Sequence, residues 1–123
     1  MVLALQLASL LLAADPQLKI SVVKVTAKES KPAVTRTLKE QLEPMKGCYD
    51  LALKDNPALE GDVKAAFDVI AGTESVGEVS ALPGGVEDPT LGSCVRARLT
   101  STTWPKTKKG NHVEVVLHFA TAK

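Results

Sequence analysis

His112-Val113-Glu114-Val115-Val116-Leu117-His118-Phe119 is the stretch whose pattern decides the fold. Successive side chains of an extended chain point to opposite faces, so Val113, Val115, Leu117 and Phe119 fall together on one side. His112, Glu114, Val116 and His118 fall on the other. The pattern predicts a strand with one buried and one wet face, the arrangement of an antiparallel sheet covered on a single side. Upstream, Val63, Ala65, Phe67 and Val69 alternate in the same way with Asp62, Lys64, Ala66 and Asp68. A shorter segment sets Val79 and Ala81 against Glu78 and Ser80, and the polar, glycine-bearing connection from Ala71 to Gly77 suits a hairpin. These two strands are expected to be antiparallel neighbours.

Further toward the N-terminus, Leu18 to Thr26 is rich in β-branched residues and reads as a strand. Leu18, Ile20 and Val22 share one face while Val23 and Val25 share the other. The segment is therefore either an edge strand with a bulge or a strand covered on both sides. Val34, Leu38, Leu42, Met45, Tyr49 and Ala52 then recur at helical spacing and form one apolar stripe, which predicts a helix from about Ala33 to Lys54. Pro44 inside it lacks an amide donor, so the helix either kinks there or gives way to a second helix with Pro44 in its first turn. Asn56-Pro57 ends the element. Asp88-Pro89-Thr90-Leu91 starts another helix, with a side-chain acceptor at the cap and a proline where no helical bond is lost. Its apolar positions are Leu91, Val95 and Leu99, with Cys94 on the adjoining edge. Trp104-Pro105 closes it, and the indole is expected to fold back over the core.

The chain has 123 residues, 45% of them hydrophobic and 24% charged, which fits one domain with an ordinary core. A formal net charge of +1 and only one Trp, one Tyr and two Phe argue against nucleic acid as a partner. No apolar run reaches the roughly 20 residues that span a bilayer. Met1 to Ala14 is apolar apart from Gln6 and Ser9 and ends in small residues before Asp15-Pro16, which resembles a secretory signal with its cleavage site. We read residues 1–14 as that signal and 15–123 as a single exported domain, periplasmic and without a transmembrane span once the signal is removed. A packed N-terminal helix is the alternative, because no Lys or Arg precedes the apolar run.

Export bears on Cys48 and Cys94. An even pair in an oxidising compartment favours a disulfide, with two buried thiols as the alternative. The loop closed is 46 residues long by sequence, worth roughly 4 kcal/mol in the chain-entropy description. A zinc site lacks ligands, since only His112 and His118 exist and neither is near a Cys in sequence. The two histidines lie about 20 Å apart along a strand and cannot share a metal; both are expected on the wet surface. Asp62, Asp68, Glu74, Glu78 and Glu87 have no neighbouring base in sequence, and no nucleophile elbow or phosphate loop occurs. No catalytic residue, metal or cofactor is expected. Lys106, Lys108 and Lys109 are a candidate partner-contact loop for an acidic surface, with a solvated turn as the alternative.

The order strand, helix, strand, strand, helix, strand, with one cysteine on each helix, resembles a known family. The residues that carry the resemblance are Gly47-Cys48-Tyr49, the run Leu53 to Gly61 through Asn56-Pro57, Gly77-Glu78-Val79, Asp88, Cys94-Val95, Trp104-Pro105 and the Val113 to Phe119 strand. Together they are similar to the C-terminal domain of AgmX/PglI-type envelope proteins, itself similar to the TonB C-terminal domain. The resemblance implies an α+β two-layer fold, an antiparallel sheet of three to four strands packed on two helices. It implies a non-catalytic interaction module of the Gram-negative envelope that grips an envelope protein by strand addition at a sheet edge. A structural or self-associating part of a motility or transport assembly is the alternative. TonB-type proteins carry a membrane-spanning helix and a long proline-rich linker that this sequence does not show, so energy transduction is not expected of it.

Overall fold

Burying one face of the closing strand requires a second layer, and helices supply it. A computed structural model describes residues 17–122, so the expected signal at residues 1–14 lies outside the described residues. The elements are β1 (Gln17–Ala27), α1 (Lys31–Glu40), α2 (Leu42–Asp55), β2 (Gly61–Val69), β3 (Val76–Ala81), α3 (Pro89–Ser101) and β4 (Asn111–Ala122). The strands form one antiparallel sheet in the order β1-β4-β2-β3. The chain is thus α+β, with α1 and α2 packed over β1 and α3 over β3. Val113, Val115, Leu117 and Phe119 are at most 1% exposed, as their alternation predicts.

The expected two helices are three. The stripe from Val34 to Ala52 is one surface, but the backbone that carries it breaks at Gln41. Pro44 occupies the first turn of α2, where an amide would have no intrahelical acceptor. The Gln41 amide instead donates to the Leu38 carbonyl at 2.9 Å in a tightened turn. Val34, Leu38, Met45, Tyr49 and Ala52 stay fully buried across the break. The Tyr49 ring meets Phe119 edge-on at 5.4 Å between centroids, and its hydroxyl donates to the Leu59 carbonyl at 2.6 Å. Burial, then the charge of Glu60, raises the phenol above its ordinary pKa and keeps it a donor.

Two strands depart from simple alternation. In β1 the register shifts between Val22 and Lys24. Val23 is the extra residue of a bulge and is 57% exposed, which returns Val25 to the face of Leu18, Ile20 and Val22. Of the two readings of this segment, the bulged edge strand is the one the fold adopts. In β3 the expected inward residues were Val79 and Ala81, but Ala81 is exposed and the buried pair is Val76 and Val79. A register shift between Phe67 and Val69 sets Val76 against Val69 and brings it to the inner face with Val79, while Ala81 keeps that face opposite Ala65 but is exposed at the sheet edge.

Past β3 the chain keeps following β2. Leu82 donates to the Lys64 carbonyl at 3.0 Å and Val86 to the Asp62 carbonyl at 2.7 Å. The close approach depends on glycine. At Gly61 φ is +139°, and an added Cβ would stand 2.5 Å from a Val86 methyl; at Gly85 it would stand 2.8 Å from the Asp62 carbonyl. Residues 82–86 then lead to α3, where the Asp88 carboxylate accepts the Leu91 amide at 2.9 Å, the expected cap. Leu91, Val95 and Leu99 are buried on the inner side of α3. Trp104 follows, 1% exposed, with its indole nitrogen donating to the Leu99 carbonyl at 2.9 Å and its ring 4.7 Å from that of Phe67. Cys48 on α2 and Cys94 on α3 are joined by a disulfide with Cα atoms 5.5 Å apart, a separation in the ordinary range. The two helices are thereby clamped together over the sheet.

Candidate functional site

A strand order of β1-β4-β2-β3 leaves β1 and β3 as edges, and unpaired backbone donors and acceptors on an edge are a template for another strand. The two edges differ. β3 has six residues and its side of β2 is continued by the 82–86 segment, whereas β1 has eleven residues and, among the described residues, pairs only with β4. The bulge divides β1 into a regular half, Gln17–Val22, and a second half from Lys24 to Ala27. Leu18, Ile20 and Val22 are only half-buried, which is the state of inner-face residues at an uncovered margin. A cleft of about 490 Å³ lies beside this half, lined by Leu18, Ile20 and Leu42 with Glu43 and Lys46 of α2. Glu43 and Lys46 pair with each other at 3.0 Å.

The outer face of the sheet is open, and here the structure brings together residues that sequence reasoning kept apart. Asp62 stands opposite His118 and Asp68 opposite His112 across β2 and β4. His118 Nδ1 lies 2.7 Å from an Asp62 oxygen. His112 Nδ1 lies 2.8 Å from Asp68, and its Nε2 lies 3.0 Å from Glu114. The signal that finds these pairs is the register: once Val63 faces Leu117, every outer pair follows in steps of two. Both nitrogens of His112 are occupied by carboxylates on opposite sides of the ring, so they do not converge on a common point. Among the described residues no group of three His, Cys, Asp or Glu is arranged to hold a metal.

Donation from the imidazole to Glu114, then to Asp68, raises the pKa of His112 above its ordinary value. A folded-state pKa above the unfolded one makes the contribution of the pair complete below pH 6.5 and lost as pH rises through the raised value. The imidazole is 41% exposed, so solvent screening holds the effect under about 1 kcal/mol. We predict that Glu114→Gln moves the His112 NMR titration down toward the ordinary value and flattens the slight loss of stability between pH 6.5 and that folded-state pKa. An unmoved titration curve contradicts the assignment.

The remaining candidates of the sequence lie elsewhere on the exposed surface. Glu78 and Glu87 are exposed on β3 and the following loop, and Glu74 serves through its backbone carbonyl, which accepts the Trp104 amide at 2.9 Å. Lys106, Lys108 and Lys109 project from the loop between α3 and β4. Thr107 among them is buried, and its carbonyl accepts the Gly72 amide at 2.8 Å, tying the loop to the β2–β3 hairpin. Only Lys109 of the three borders the end of β1, in a cleft shared with Lys28 and His112. No helix among the described residues is long and apolar enough to cross a membrane. No family model, no curated protein and no solved structure matches the chain.

Proposed function

We propose that the chain is a non-catalytic protein-interaction module of the Gram-negative cell envelope, working in the periplasm, with a TonB-C-terminal-like domain that takes a partner strand on the free edge of β1. The observation that carries the reading is the eleven-residue edge of β1, paired on one side only among the described residues and backed by half-buried apolar residues. Backbone hydrogen bonds to the added strand supply affinity, and alternate side chains supply selectivity. The Cys48–Cys94 disulfide accords with an oxidising compartment. The bulge at Val23 and the lysines on β1 are devices that keep an edge from pairing indiscriminately.

A photo-crosslinking side chain placed at Ser21 tests this in living cells, with Glu78 on β3 and Leu51 on α2 as comparison sites. Adducts from Ser21 to an envelope protein are expected, with few from the other two. Adducts confined to Glu78 or Leu51 would move the interface off β1. Adducts from Ser21 to a second copy of the chain would favour a self-associating structural role.

A further inference from the structure

Within β1 all charge is positive: Lys19 and Lys24 are both exposed, and no acidic residue occurs in the strand. Both lie on the outer face with Ser21 and Thr26, because Leu18, Ile20, Val22 and Val25 take the inner one. Across the sheet Lys19 faces Ala120 and Lys24 faces Val116. Behind Val116 stands Lys64, so that row carries two ammonium groups and no carboxylate. Among the described residues, Glu114 lines one cleft with Lys24 and Lys64 but pairs with His112, while Asp62 pairs with His118 and Glu43 with Lys46. Glu29 lies beyond the strand, next to Lys28. Among the described residues Lys19, Lys24 and Lys64 make no ion pair within 4.0 Å.

From this charge pattern, and resting on the edge-pairing reading above, we propose that the edge of β1 selects a partner strand in which acidic and apolar residues alternate. A strand added there would set its outer-face residues opposite Lys19, Ser21 and Lys24, where carboxylates pair with ammonium groups and a lysine would repel them. Its inner-face residues would extend the half-buried margin of Leu18, Ile20 and Val22, where apolar side chains gain burial. The stretch from Gln17 to Lys24, with Val23 out of register, sets the footprint at seven paired residues. The same charges disfavour a second copy of β1 in the registers that bring lysines together. Antiparallel pairing about Ser21, with Val23 bulged in both copies, would place Lys19 opposite Lys24, and an axis through either lysine would place it opposite itself.

The test is selection of an eight-residue peptide library of alternating pattern against the full oxidised chain, followed by NMR footprinting of the winners. Enriched peptides are expected to carry Glu or Asp at every second position, to perturb the amides of Gln17–Val22, and to bind roughly tenfold tighter than their Lys counterparts in low salt. A doubly reversed Lys19→Glu, Lys24→Glu chain should invert that preference. Winners that footprint on β1 without any acidic excess, or whose affinity ignores the reversal, overturn the charge rule and leave edge pairing standing. If no enriched peptide footprints on a strand edge, edge pairing itself is overturned.

Discussion

Replacing Cys48 and Cys94 together by alanine is expected to lower the unfolding free energy by about 4 kcal/mol and the melting temperature by roughly 15–25 °C. The bridge spans 46 residues of sequence, and opening a loop of that length returns much conformational freedom to the unfolded chain. The loss is a large part of the roughly 5–15 kcal/mol that a domain of this size possesses. Cys94 is only half-buried, so little of the effect comes from a cavity at that end; Cys48 is 4% exposed and adds a small packing loss. Chemical denaturation of the oxidised, reduced and doubly substituted chains separates these parts. Reduced and substituted chains should nearly coincide, both far below the oxidised one. A difference under about 1 kcal/mol would mean that the packing of α2 on α3 holds the helices without the covalent link.

Trp104→Ala is the second large effect, with an expected cost of about 3–5 kcal/mol. The indole is 1% exposed, it packs on Phe67 at the β2 end of the core, and it satisfies the Leu99 carbonyl near the end of α3. Removing it leaves a cavity and strips the Leu99 carbonyl of its shorter hydrogen bond, leaving only the 3.4 Å bond from the Thr102 amide. Trp104→Phe restores most of the volume but not the donor, so it should recover more than half of the loss. Urea unfolding of the two variants measures both parts. Equal losses for Ala and Phe would assign the effect to the hydrogen bond, not to packing.

Much of this architecture is legible in the sequence where the interactions are local or periodic. The alternation in Val63–Val69 and Val113–Phe119 marks the buried face of the sheet correctly. Asp88-Pro89 announces the start of α3 because capping is decided within one turn. The disulfide is legible from the parity of two cysteines in a chain read as exported, and the fold confirms it. What could not be read depends on register and strand order. Pro44 is compatible with a kink or with a new helix, and only tertiary packing chooses the break at Gln41. Val76 joins Val79 on the inner face of β3 because a bulge shifts the pairing, an event with no signature in the alternation itself. The histidine–aspartate pairs join residues 44 and 56 positions apart, and they become visible only when β2 is known to lie beside β4. The identity of the edge strands is of the same kind. Nothing within Gln17–Ala27 says that β3 lies at the far side of the sheet, three strands away.

The central claim is that β1 is the face the molecule offers to its partner, and amide hydrogen exchange on the full oxidised chain addresses it most directly. Exchange is compared for the free chain and for the chain bound to the envelope protein crosslinked through Ser21. Binding is expected to slow exchange at amides of Gln17–Val22 while those of β3 and α2 stay as they are in the free chain. Protection that appears on β3 or on α2, with Gln17–Val22 exchanging as fast as before, would contradict it.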